Sequence, residues 1–235
     1  MKSAFAPVDA HNAEHGIDPT PITPEFVKWL DTRDEPIVLR ELDHVAIAET
    51  AEWLTHPNNY KWLDFGNGRQ ILNSNALSLM ARSGAHCLRS CHDATDRLVG
   101  IAALSHVDNA FKSAMLWGVR MRVRPPSRSN AVHQIRQIMA VGFRELGLQS
   151  IYCWVVDINR PSIATVKACG MREVGRQRRA HVIDGVYHDR FLFDILVDEF
   201  EQQEQMKAAH RAAYSAASPE EEPQAVAAAP LAAVG

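Results

Sequence analysis

Residues 123–133 read Val-Arg-Pro-Pro-Ser-Arg-Ser-Asn-Ala-Val-His, between a strand-like run that ends at Val123 and a helical run that reaches Leu146. A strand, a tight proline-containing loop and an exposed helix start make an anion site, because the unpaired N–H groups of the first helical turn and the positive end of the helix dipole converge there. The rest of the chain is read outward from this loop.

Downstream, Ile135, Ile138, Met139, Val141, Phe143 and Leu146 keep helical spacing until Gly147. Residues 151–156 form a continuous apolar run, expected of a strand buried on both faces. Strand, helix and strand in this order imply a right-handed crossover and a locally parallel pair. A second helix is expected over 161–168, ending at Gly170, and then two strands, 174–183 and 186–197, joined by a hairpin turn at Asp184-Gly185.

Upstream, strands over 86–90, 98–105 and 114–123 form an antiparallel meander, with Asp108 and Asn109 supplying the turn before the last of them. Helices are expected over 74–82 and after an Asp43 cap, a first strand over 37–42, and a short helix opened by Thr23 and Pro24. Residues 58–69 make a structured loop with Tyr60, Trp62 and Phe65. The expected architecture is α/β (α+β): a mixed, mostly antiparallel central sheet with helices on both faces. Residues 1–22 read as a mobile leader, 23–200 as the folded domain, and 201–235 as an Ala/Glu/Pro-rich tail, partly helical and then disordered.

Composition narrows the function. A net charge of -3 excludes nucleic acid as the main partner, and no apolar run approaches the roughly 18 residues that span a bilayer. The first residues lack the apolar core of a signal peptide, which points to the cytoplasm. Cys87, Cys91, Cys153 and Cys169 have no zinc-knuckle spacing and are expected to be buried free thiols; no metal site is expected.

Over residues 36–200 the chain resembles the GNAT superfamily of N-acyltransferases. The signature Val-x-Pro-x-x-Arg-x-x-Gly-x-Gly/Ala is matched by Val123, Pro125, Arg128 and Ala131, with His133 at the last small position. Asn159, Ser162, Gly170 and Met171 match the family's second motif, and the final hairpin is similar to the subgroup that acetylates protein N-termini, small amines and aminosugars. The resemblance implies acetyl-CoA or another acyl-CoA as co-substrate. Met121 and Val123 would pair with its pantetheine amides, and Arg128, Ser129, Asn130, Ala131 and Val132 would cradle its pyrophosphate. Asn159 and Ser162 would contact the arm, although Asn159 also suits a plain helix cap.

The implied acceptor is a small-molecule amine, an aminosugar or a peptide N-terminus, and a homodimer is left open. Tyr60, Trp62 and Phe65 either contact substrate, as a wall or as a pocket that takes a longer acyl group, or plug the edge of the core. Arg120 and Arg122, on one side of the strand with Arg124, suit an anionic substrate or the CoA phosphates. An amine with a pKa of about 10 must lose a proton before it attacks a thioester. Candidate bases are His106 and Asp108 before the strand and His188 and Asp189 on the last one, with His181 across the hairpin as a proton carrier or a cross-strand partner. Val166 stands where many members carry an acidic tyrosine. With Ala131 and His133, it favours an alternative in which the protein binds CoA or a partner without turnover.

Overall fold

The computed structural model describes residues 37–120 and 128–217. The expected leader and Thr23 helix, the strand end at Met121 to Val123 and the last part of the tail lie outside them. The order is β1 (Val38–Glu41), α1 (His44–Thr55), α2 (Pro57–Tyr60), α3 (Ser74–Arg82), β2 (His86–His92), β3 (Leu98–Asp108), β4 (Ser113–Arg120), α4 (Arg128–Ala140), β5 (Ser150–Val156), α5 (Arg160–Ala168), β6 (Arg172–Ile183), β7 (Val186–Leu196) and α6 (Val197–Ala217). A π-helical turn, Val141–Glu145, extends α4.

The local chemistry follows the sequence closely. Asp43 caps α1 through a bond from the Ala46 N–H at 2.8 Å, and Asn73 caps α3 in the same way. Asp184 and Gly185 both take positive φ, 50° and 79°, the type I′ geometry that makes this dipeptide a hairpin turn.

The seven strands lie in the order β1-β2-β3-β4-β5-β7-β6. All neighbours are antiparallel except β4 and β5, which run parallel. The α4 crossover between them is the reason, as expected for strand, helix, strand. On one face, Leu104, Leu116, Ile151, Cys153 and Phe193 pack with Ile138, Met139 and Phe143 from α4 and its extension, and with Phe200 of α6. On the other, Leu88, Ile101 and Ala103 pack with Ala51 and Leu54 of α1 and Leu77 of α3. The mixed sheet with helices on both faces is therefore observed. Strand β5 is a correction: Tyr152 is exposed and Trp154 half-buried, because only one of its faces meets the α4 layer.

Helix α6 is tied to the core by charge. The buried Arg136 of α4 binds Glu204 through Nε at 3.0 Å, and its Nη1 donates to Gln203 Oε1 at 2.7 Å and to the Cys169 carbonyl at 3.0 Å. Its guanidinium also lies 4.7 Å from the centre of the Phe200 ring. Removing one member of such a group strands the others in low dielectric, whereas an exposed pair such as Arg144–Glu201 contributes little. In urea unfolding, Arg136→Met is expected to cost about 3 kcal/mol and Arg144→Met under about 1 kcal/mol. Equal losses would show that burial does not set the difference.

Candidate active site

Parallel pairing of β4 with β5 covers only Ser113, Ala114 and Met115 against Ser150, Ile151 and Tyr152. Beyond that point β4 continues to Arg120 on β3 alone, and β5 continues to Val156 on β7 alone. The two facing edges diverge with their ladder groups unpaired to each other, and a cavity of about 290 Å³ opens between them.

Strand alternation divides the cavity wall into two sides. Toward α4 and α5 lie Arg120, Ala131, Gln134, Ile135, Cys153, Asn159, Ser162, Thr165 and Val166. Toward α1 and α3 lie Trp62, Asp64, Phe65, Trp117 and Trp154.

On the first side, Gln134 is 3% exposed and donates from Nε2 to the Ile101 carbonyl at 2.9 Å. Its Oε1 is buried without a hydrogen-bond partner, a condition that costs about 1–3 kcal/mol. The amide lies flat over Gly100, where a Cβ would come within 2.7 Å of the Val119 carbonyl and 3.1 Å of Gln134 Oε1. Asn159 caps α5, accepting from the Ser162 N–H at 3.3 Å, and also lines the cavity. Cys153 is deeply buried, and desolvation drives its thiol far up, which suits a core residue and not a nucleophile. All four cysteines are buried free thiols.

On the second side, the loop after α2 is pinned to the last hairpin. Asp64 accepts from the N–H groups of Gly66 and Gly68 at 2.9 and 3.2 Å, and from Arg190 Nη2 at 2.8 Å. Burial acts to raise the Asp64 carboxyl, but Arg190 and the two N–H groups outweigh it and hold it below the ordinary value. Arg190 Nη2 also meets His181 Nδ1 at 2.9 Å, and His181 Nε2 meets the Lys61 carbonyl at 2.7 Å. Arginine only donates, so Nδ1 accepts and the ring proton sits on Nε2. Burial and the neighbouring Arg190 push the His181 pKa down, against the Lys61 carbonyl. The ring is a neutral strut with both nitrogens engaged, and His181 stands opposite His188 across the hairpin, which is the cross-strand reading of it.

The other candidates fall as follows. Trp62, Phe65 and Arg120 line the cavity; Tyr60 does not. Ala131, Asn159 and Ser162 line it, while Val132 is buried in the core. Arg128, Ser129 and Asn130 form the first turn of α4. Met121, Arg122 and Val123 are outside the described residues. His106 is exposed at positive φ and Asp108 accepts from the Ala110 and Phe111 N–H groups, both at the hairpin end of β4 away from the cavity. Asp189 binds Arg176 and accepts from the Arg179 N–H at 2.7 Å; that bond, with Arg176, holds its carboxyl low. His188 stands 3.4 Å from Asp157. None of these four lines the cavity. Asp64, Trp117, Gln134 and Trp154 were missed by motif reading. Alternation along β4 and β5 was the signal for the two tryptophans, and nothing local marked Asp64 or Gln134.

The sheet with its parting of β4 and β5 is the GNAT acyltransferase fold. The spermidine N-acetyltransferase of Vibrio cholerae in complex with CoA and spermine superposes with a TM-score of 0.64 at 18% identity, over 72% of this chain and 99% of that one. The spermidine/spermine N-acetyltransferase of the same organism in complex with manganese ions gives 0.60 at 19% identity, over 71% and 96%. No family model and no curated protein sequence matches the chain. Among the described residues no helix is long and apolar enough to cross a membrane, and no group of His, Cys, Asp and Glu is arranged to hold a metal ion.

The stabilisation from a carboxyl held low is present above its unfolded pKa and is lost as pH falls through the folded one. Asp64→Asn should therefore lower the melting temperature at pH 7, and the gap to wild type should narrow as pH drops below the ordinary value of 3.8. A gap unchanged at pH 3 would show that the Asp64–Arg190 ion pair does not hold the loop.

Proposed function

We propose that the protein is an N-acyltransferase that moves an acyl group, most simply acetyl, from acyl-CoA to a primary amine. The divergence of β4 and β5 carries this reading. An extended amide-containing arm can lie between two strand edges and pair with their free ladder groups, as a peptide strand does on a sheet edge. The orphaned oxygen of Gln134 adds an acceptor for one more N–H, and the arm of CoA offers two amides. Arg120, the start of α4 and the Asn159 cap lie on the same side, which gives the phosphates and the arm one common approach.

The reaction balances without a covalent enzyme intermediate. The neutral amine nitrogen forms a bond to the thioester carbonyl carbon, the carbon–sulfur bond breaks, the sulfur leaves as the CoA thiol or thiolate, and the nitrogen loses one proton. The unreactive Cys153 thiol fits this direct transfer. Of the ionisable groups that line the cavity among the described residues, Asp64 is held low, Cys153 is driven far up, and Arg120 stays charged. Positioning by strand and loop N–H groups is then the main contribution.

Titration calorimetry with acetyl-CoA should give a dissociation constant below 1 mM, and the absence of heat at that concentration would end this reading. Gln134→Met, close in volume, should weaken acetyl-CoA about five- to tenfold, one hydrogen bond's worth, and leave 3′,5′-ADP, which has no pantetheine arm, unchanged. In thiol-release assays kcat/KM should climb about tenfold per pH unit from 6 to 9, following the neutral amine. A flat profile over that range would show that the free neutral amine is not the reacting species.

A further inference from the structure

The side of the cavity opposite Gln134 and Asn159 is the side left for the acceptor, if the transfer proposed above holds. Its described lining includes four aromatic rings, Trp62, Phe65, Trp117 and Trp154, aliphatic side chains such as Leu63 and Val119, and one carboxylate, Asp64. That carboxylate offers no spare charge. Arg190 neutralises it, and three donors already occupy its two oxygens.

Among the described residues, two of the four rings carry one of the protein's own cations over a face, and the other two carry none. The Arg190 guanidinium sits 3.8 Å from the centre of the Trp154 ring, and Lys61 Nζ sits 5.0 Å from that of Trp62. Phe65 and Trp117 meet edge to face at 5.0 Å, and the Trp117 N–H is bonded to Ser105 Oγ at 2.7 Å. A second ammonium on the acceptor would find no unpaired carboxylate among the described residues that line the cavity. A flat apolar body would instead find ring surface to stack on and little polar surface to desolvate.

We infer that the acceptor is a monoamine with a planar, uncharged, apolar body, of the arylalkylamine class, and that this wall selects against polyamines. The single reacting nitrogen enters neutral, so the aromatic wall needs no counter-ion for it. Among the described residues the selectivity lies in Trp62, Phe65 and the Trp154–Arg190 stack, and in the pairing that removes the charge of Asp64.

Thiol release from acetyl-CoA with the full chain should be compared across phenethylamine, tryptamine, putrescine, spermidine and glucosamine. Tryptamine or phenethylamine should exceed spermidine at least tenfold in kcat/KM, and Trp62→Ala should raise the KM for the aromatic amine while the acetyl-CoA dissociation constant stays fixed. Spermidine or glucosamine equal to or better than the aromatic amines would overturn the assignment. Should no acceptor release thiol, the transfer reading itself falls, and the wall is still tested by tryptophan fluorescence. Quenching by phenethylamine at lower concentration than by spermidine supports it, and the reverse order overturns it.

Discussion

The structure depends on one interruption: β4 and β5 pair for three residues and then part. Each strand keeps its outer partner, so the sheet becomes two smaller sheets, β1–β4 and β5–β7–β6, joined at one end. Such a gap forfeits ladder bonds and would close or tear unless it were braced. It is braced on both faces. On one, α4 follows the first sheet and is tied through Arg136 to the end of α5 and to α6, both belonging to the second. On the other, the loop carrying Lys61 and Asp64 comes from the first sheet's layer and is bonded to His181 and Arg190 of the second. The cavity is held open by ion pairs and hydrogen bonds that cross from one half of the sheet to the other.

This placement leaves the two walls with different resources. On the aromatic wall, polar capacity is spent inside the protein: Asp64 on Arg190 and two N–H groups, His181 at both nitrogens, Trp117 on Ser105. On the opposite wall, among the described residues, the Gln134 oxygen has no partner and the β4 and β5 edges do not pair with each other beyond Met115 and Tyr152. An amide-rich arm suits the wall with unmet acceptors and donors, and an apolar acceptor suits the wall without them. The functional division follows from the hydrogen-bond census of each face.

Much of the fold was legible in local chemistry. The cap at Asp43, the Asp184-Gly185 turn, the Asp108 turn and the crossover after residue 123 act over a few residues and appear where they were expected. The ends of β4 and β5 were less legible, because strand alternation predicts where side chains point but not where two strands stop pairing. The site was harder still. Asp64 and Arg190 are 126 positions apart, and Gln134 is one polar residue among several on an amphipathic helix. Their roles arise from tertiary proximity, which motif spacing does not encode. His181 shows the limit from the other side: its residue type suggested proton transfer, and its two partners remove that freedom.

The departures from the family signature carry unequal weight once their surroundings are known. His133 is bonded to Gln137 at 2.8 Å and does not line the cavity, so its size does not obstruct it. Val166 lines the cavity and offers no proton. A thiol of pKa about 8.5 leaves readily as the thiolate near neutral pH, however, so the missing acid is a small handicap. The amine is the larger difficulty: with a pKa of about 10, only about one molecule in a thousand is neutral at pH 7, equivalent to about 4 kcal/mol. An aromatic wall whose one carboxylate is already paired acts on that term directly, because desolvation against apolar surface disfavours the ammonium form and lowers the amine's pKa as it binds. A carboxylate-rich wall would do the opposite. The same aromatic surface that selects the acceptor's body thus bears on its protonation, and it offsets part of what a positioned base would otherwise supply.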